Sequence, residues 1–445
     1  MDFFLTLADH LERNRVTRRQ ALWLIGASCA GSLSGCATSP VTGQSILVGM
    51  SEDDERRTDA KVSPHQFSQD LGAVQDPGLN RYLADVGKRV CSVSHRPQMP
   101  YSFRALNANY VNAYTFPGGA MGITRGILVE LDDEAQLAAL LGHEAGHVNA
   151  RHAAQRQGQS MLAQVAVAGL NIATSDSRWG GLVAIGSQLG ASALLSSYSR
   201  DNEREADALG QEYMVRAGYP AQGMVLLHEL LIRQERTEPG LLQTMFATHP
   251  MSRERRDTAR HLAATQHFDS QKRPLQRERF MDQTSGLRRL KPTIDDLKQG
   301  ESRMAKKDLQ QAHESFQSAL RRSPEDYAAN LRMAQCQQAR GQTADALRYA
   351  ENASRIYPQE AQAHKMAGVL ALEQRDPGRA YQRFDQFERL LPGDPGTLFL
   401  KGIAQEGLGN RQAAANLYGQ YLRQDRQGNA AQYAASRLQN WGYLK

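Results

Sequence analysis

The residues of this chain best placed to do chemistry are His143-Glu144-Ala145-Gly146-His147. On an α-helix, positions four apart share a face and lie about one 5.4 Å turn from each other. Two imidazoles so placed can hold one Zn²⁺ at about 2.0–2.1 Å, and the glutamate between them is set to take a proton from water. The same pattern arises by chance on solvated helices, so its weight depends on the elements that carry it.

Those elements favour a buried helix. Asp132 or Asp133 can cap its start, and Leu137, Leu140, Leu141 and Ala145 form an apolar stripe. Burying His, Glu and His there without a shared cation strands polar groups at roughly 1–3 kcal/mol each. A third ligand is then needed. His152 follows His147 by five residues, without the glycine break and longer step of the HExxHxxGxxH pattern. A helix continued through Val148 and Asn149 turns it off the ligand face, so it is expected to pack near the site. Glu203 and Asp207 are four apart and share a helix face, while Glu205 points elsewhere. One of the pair can ligate and the other can orient a ligating histidine. Ala206, Ala208 and Gly210 are small enough for that helix to pack closely.

HExxH followed by ExxAD resembles the gluzincin metallopeptidases of the HtpX and CAAX-prenyl-protease type, over roughly residues 37–265. Asn112-Ala113-Tyr114-Thr115-Phe116-Pro117-Gly118-Gly119 resembles the family's NAF…PGG segment. Ile123 to Leu128 resembles the strand end before the active-site helix, and Thr248-His249-Pro250 with Arg255 resembles the HP…R motif. The resemblance implies one Zn²⁺ per subunit on His143, His147 and Glu203, with Glu144 as general base and Asp207 behind a ligand. It also implies Asn112 and His249 as stabilisers of the oxyanion. Gly146, where a larger residue is common, costs up to about 1 kcal/mol of helix propensity and removes no ligand.

The implied reaction is peptide hydrolysis. Three protein ligands leave zinc one position for water, whose pKa falls toward about 7, and Glu144 moves the water's proton to the leaving amine. Ala120–Thr124 reads as an extended segment to which a substrate backbone could add as a strand, favouring unfolded substrates. In the repeat-bearing members, the beta-barrel assembly-enhancing proteases, the histidine equivalent to His249 can sit on zinc as a fourth ligand. That gives His249 a second role, as a latch on a latent enzyme.

The N-terminus reads as an address. Arg13, Arg15, Arg18 and Arg19 precede the small and apolar stretch Ala21 to Ser34, and Leu33-Ser34-Gly35-Cys36 resembles a lipobox. Residues 1–36 are thus expected to be a signal peptide ending at a lipidated Cys36, with Ala37 favouring the periplasmic face of the outer membrane. Thr17-Arg18-Arg19 also fits a twin-arginine signal, so the export route stays open. Cys29 leaves with the signal; Cys91 and Cys336 remain, either free or joined.

The second half is periodic. Ala312, Ala346, Ala380 and Ala414 recur at 34-residue intervals, as do Pro324, Pro358 and Pro392. Ala334, Gly368 and Gly402 keep the interval, and Phe316, Phe384 and Tyr418 keep it with Ala350. This is the tetratricopeptide period, with about four repeats and a closing helix over 292–445. The expected fold is therefore mainly α: a gluzincin domain (37–270) with a small sheet near 100–130, a solvated basic linker (271–291), then an all-α solenoid. The apolar, glycine-rich run Met161 to Leu195 is expected to cover the active site as a lid.

The net charge of +6 is mild and comes with no nucleic-acid motif. The expected partners are unfolded or stalled outer-membrane proteins, the β-barrel insertion complex through the repeats, and the membrane through the lipid anchor. Two functions stand: an envelope zinc endopeptidase, or a chaperone-like adaptor with a latent protease site.

Overall fold

A computed structural model of the chain describes residues 35–167, 198–237, 249 and 253–444. The expected targeting segment up to residue 34 and the expected lid from residue 168 on lie outside the described residues.

Cys36 opens a hairpin of β1 (Cys36–Thr38) and β2 (Ser45–Leu47), in which it faces Leu47. α1 (Glu52–Gln69) starts at a reciprocal cap in which Ser51 Oγ accepts from Asp54 N and the Asp54 carboxylate accepts from Ser51 N. α2 (Pro77–Cys91) leads into β3 (Ser102–Leu106), β4 (Ala113–Thr115) and β5 (Ala120–Thr124). After the short α3 (Arg125–Leu128) comes α4 (Glu134–Asn149), capped by Asp133, which accepts from Gln136 N at 2.8 Å. All of α4 is buried, not one stripe of it. Packed around it are α2, α6 (Arg200–Arg216) and α7 (Gln222–Thr237), while α5 (His152–Val167) continues from its end and α8 (Arg253–Thr265) packs on α6 and α7.

The sheet corrects one expectation. Its order is β3-β5-β4, so Ala120–Thr124 is the central strand, parallel to β3 and antiparallel to β4, with every residue buried. It has no edge left for a substrate, because the Pro117-Gly118-Gly119 turn folds the preceding strand back onto it. The edge beside α4 is β4. Phe116 N donates to Ala120 O and Thr124 N donates to Asn112 O. By antiparallel alternation, the backbone groups of Ala113 and Thr115 then point away from β5.

The basic stretch 271–291 is not a solvated linker. From Arg277 to Arg288 it is a helix, α9, that buries Phe280 and Leu287 in the core around α4. Arg279 pairs with the buried Glu134, and Arg288 donates to the carbonyl of Leu131. Arg279 and Arg288 have buried acceptors, which composition alone does not reveal.

The 34-residue period becomes four helix pairs: α10 (Lys291–Ala305) with α11 (Leu309–Arg322), α12 (Tyr327–Ala339) with α13 (Thr343–Ile356), α14 (Ala361–Glu373) with α15 (Pro377–Leu390), and α16 (Pro395–Gly407) with α17 (Arg411–Gln424). α18 (Gly428–Asn440) follows. The periodic residues interlock. A Cβ on Gly368 would meet the Phe384 ring at 2.5 Å, and one on Gly402 would meet the Tyr418 ring at 2.5 Å. Where the ring is replaced by Ala350, its partner Ala334 can carry a Cβ.

Repeats and protease half are joined by buried polar bonds. Arg125 Nη1 lies 2.6 Å from Asp326 Oδ2, and its Nε donates to Asn109 Oδ1 at 2.8 Å. Leu71, just past α1, sits at φ +68° and belongs to the apolar core of the first repeats, with Leu331 and Met366. Cys91 and Cys336 are unpaired thiols buried in separate cores. Among the described residues, no helix is long and apolar enough to cross a membrane.

Candidate metal centre

α4 and α6 approach at backbone distance, and glycines permit it. A Cβ on Gly142 would stand 2.7 Å from Gly210 O, and one on Gly146 would stand 2.7 Å from Ala206 O. Gly146, the departure from the family's usual residue, is thus one of the points where α6 presses on α4. The approach sets Glu203 of α6 against the two histidines of α4.

His143, His147, Glu203 and His249 form one buried group whose ligand atoms all lie within 4.8 Å of one another. His143 Nε2 is 3.1 Å from His147 Nε2 and 3.3 Å from His249 Nδ1. Glu203 Oε1 is 3.4 Å from His147 Nε2 and 3.0 Å from His249 Nδ1. A tetrahedron about an ion bound at about 2.0–2.1 Å has edges of about 3.3–3.4 Å. The residues fit a metal on chemical grounds too, since lone-pair atoms so crowded repel unless a cation lies between them.

Glu144 is 1% exposed, with Oε1 3.8 Å from His249 Nε2 and Oε2 without a hydrogen-bond partner. Burial raises its pKa above the usual carboxylate value, against the pull of His249 and His143. Burial alone would raise Glu203 as well, but His249, His147 and His143 bring it well below its usual range. Asp207, four residues on, accepts from His143 Nδ1 at 2.9 Å. Arg255 of α8 holds it with two bonds, from Nε at 2.6 Å and Nη2 at 2.7 Å, and its Nη1 reaches Glu203 Oε2 at 2.7 Å. Burial pushes the Asp207 carboxyl up, but Arg255 and then His228 hold it far below its ordinary value.

Of the sequence-derived site residues, five stand together here with Asp207 behind them. Asn112 stands apart in its bonding: its backbone pairs with Thr124, its side-chain Oδ1 is buried without a partner, and among the described residues no hydrogen bond joins it to the group. His152 stands outside that group of four and touches His147. Two neighbours have no sequence signal of their own. Tyr198 stacks on the His147 ring at 3.9 Å, and His228 of α7 lies 3.4 Å from Asp207 Oδ2.

A buried HExxH helix crossed by a carboxylate-bearing helix, joined to a helical solenoid, defines a metallopeptidase-type domain with protein-binding repeats. Residues 77–263 match the model of Peptidase family M48, and residues 303–370 match that of the Tetratricopeptide repeat. The chain carries an M48 metallopeptidase domain followed by tetratricopeptide repeats, and its buried His and Glu residues form a group able to hold that domain's metal. It is 30% identical over 246 residues to the beta-barrel assembly-enhancing protease of Yersinia pestis, covering 54% of this chain and 50% of that one. To the protein of the same name in Escherichia coli (strain K12) it is 28% identical over 258 residues, covering 57% and 53%. To the mitochondrial metalloendopeptidase OMA1 of Schizosaccharomyces pombe it is 27% identical over 244 residues, covering 52% and 69%. The chain spans about half the length of the beta-barrel assembly-enhancing proteases it matches.

Proposed function

We propose that this chain is a zinc endopeptidase of the bacterial envelope that acts on unfolded or stalled outer-membrane proteins. Its repeats bring those substrates, or the β-barrel insertion complex, to the site. The observation that carries this reading is the closed set of four ligand atoms with Glu144 beside it, buried in an M48 domain. The names of the relatives supply the barrel-assembly context.

His143, His147 and Glu203 would hold the zinc, which when bound would supply a Lewis acid for the scissile carbonyl and acidify water. The side chains supply the proton path and the alignment. Glu144, its carboxyl raised by burial, accepts the proton of the attacking water and returns it to the leaving amine. Asp207 fixes the proton on His143 Nδ1 and so keeps Nε2 toward the ligand set. The outward backbone groups of Ala113 and Thr115 on β4, buried in this structure, are where an extended chain would add, an addition that only unfolded segments can make. Asn112, whose side-chain amide nitrogen can donate, is the candidate by resemblance for steadying the oxyanion.

His249 Nδ1 lies within the ligand set, which supports the latch over the oxyanion role: while it is there, the fourth position is closed. The same observation favours a second reading, in which His249 stays in place and the repeats work as an adaptor. Cys36, exposed at the start of β1, is where a lipid would anchor the chain to the outer membrane.

Cleavage of casein and of a stalled barrel protein separates the two. The wild type is expected to cleave slowly and His249→Ala faster, and Glu144→Gln is expected to lose roughly 10²–10⁴-fold with its metal retained. If Glu144→Gln cells assemble barrels as well as wild type, the adaptor reading stands instead.

A further inference from the structure

One run of side chains leads from the metal centre toward solvent through residues that ligate nothing. His147 Nδ1 lies 2.9 Å from His152 Nδ1, and His152 Nε2 lies 3.1 Å from Glu205 Oε2. His152 is 1% exposed, and the Glu205 side chain is 38% exposed. We propose that His152, oriented by Glu205, is a positioning residue that fixes the tautomer and ring angle of His147 as a ligand; the inference rests on the zinc reading above.

Proton counting supports it. Two ring nitrogens 2.9 Å apart can share only one proton. With His147 Nε2 turned to the ligand set, its Nδ1 carries the proton and donates to a bare His152 Nδ1. The His152 proton then sits on Nε2, where the Glu205 carboxylate accepts it. Each bond dictates the next, in the manner of the outer partners that orient metal-binding histidines.

The backbone is bent to make this contact. α4 ends at Asn149, and Arg151 takes φ +59°, a left-handed conformation that is strained for a non-glycine residue. The turn is secured by Arg151 itself, whose Nε donates to Glu55 Oε1 at 2.7 Å and whose Nη2 donates to Met50 O at 2.8 Å. It brings His152, five residues on and outside helical register, to a ring-centroid distance of 5.0 Å from His147. The stacked Tyr198 restrains the same ring. The two histidines of the motif are therefore held differently. His143 answers to a buried carboxylate locked by Arg255; His147 answers to a neutral imidazole whose carboxylate reaches the surface.

The test is zinc affinity of the full chain, measured by competition with a chromophoric chelator, alongside the visible spectrum of the cobalt-substituted protein. His152→Ala should bind zinc 10–100-fold more weakly, with an altered cobalt spectrum and unchanged helical content. His152→Asn, whose Oδ1 replaces Nδ1 as acceptor, should recover most of the affinity, and His152→Gln, whose amide mimics Nε2, should not. Equal affinity for wild type and His152→Ala, or equal recovery by Asn and Gln, overturns the positioning role while leaving the metal centre standing. A wild-type chain that takes up no zinc overturns both.

Discussion

At the scale of single residues, the centre is a balance of buried charges. Glu203 and Asp207 are both buried, and Arg255 is the fixed cation between them. Removing it leaves two uncompensated carboxylates one turn apart on the same face of α6, and breaking a buried pair in this way costs about 3–5 kcal/mol. Arg255→Met is therefore expected to lower the unfolding temperature of the metal-free chain markedly, and less so with zinc bound, because zinc then faces Glu203. Thermal unfolding with and without zinc checks this; equal losses in both states would place Arg255 outside the centre's electrostatics. His143, Glu144, His147, Glu203 and Asp207 were legible in the sequence because their spacing encodes one face of each of two helices. His249 was legible only by resemblance, since it comes from a segment with no periodicity. His228 and Tyr198 reach the site through tertiary packing alone.

At the scale of elements, the separation of α4 and α6 sets the ligand geometry. Gly142 and Gly210 touch backbone to backbone, so neither side can yield as a flexible side chain could. Gly142→Ala is expected to cost about 1–3 kcal/mol by overpacking and to lower zinc content by moving Glu203 away from His143. Thermal unfolding and metal analysis test it; a variant as stable and as metal-loaded as wild type would show that the helices slide freely. The sequence spoke less clearly at this scale. The stretch 120–124 reads as extended, but nothing local gives its place in a sheet, and the edge beside α4 fell to β4 instead. The arginines of 271–291 suggested solvent, because nothing local shows that Glu134 and the carbonyl end of Leu131 await them.

At the scale of the whole molecule, the repeats dock on the protease half through polar groups taken out of water. Glu360 caps α14 and accepts from Ser68 of α1, with Gly72 packed against it and the phenols of Tyr327 and Tyr357 nearby. Burial raises its carboxyl to about 7 from the ordinary 4.5, against the Ser68 bond and the amides of Gln362 and Ala361. Unfolded, Glu360 loses its proton near pH 4.5; folded, it keeps the proton to about 7. Its contribution is thus full below pH 4.5 and is lost as pH rises to about 7. Glu360→Gln is expected to flatten that fall and to unfold a few degrees higher than wild type above pH 7, as 1–2 kcal/mol would give. Parallel pH curves for the two proteins would rule it out. The solenoid itself was legible because a 34-residue period repeats its packing code; its docking was not, since Arg125–Asp326 and Ser68–Glu360 join residues some two to three hundred positions apart.

The claim on which the rest depends is that His143, His147, Glu203 and His249 surround one zinc ion. Zinc K-edge X-ray absorption on the purified full chain, beside His249→Ala, tests it most directly. The predicted result is one zinc per chain, with three imidazoles and one carboxylate oxygen at about 2.0–2.1 Å, and one imidazole fewer in the variant. A chain without stoichiometric zinc, or a two-imidazole shell that His249→Ala leaves unchanged, would contradict it.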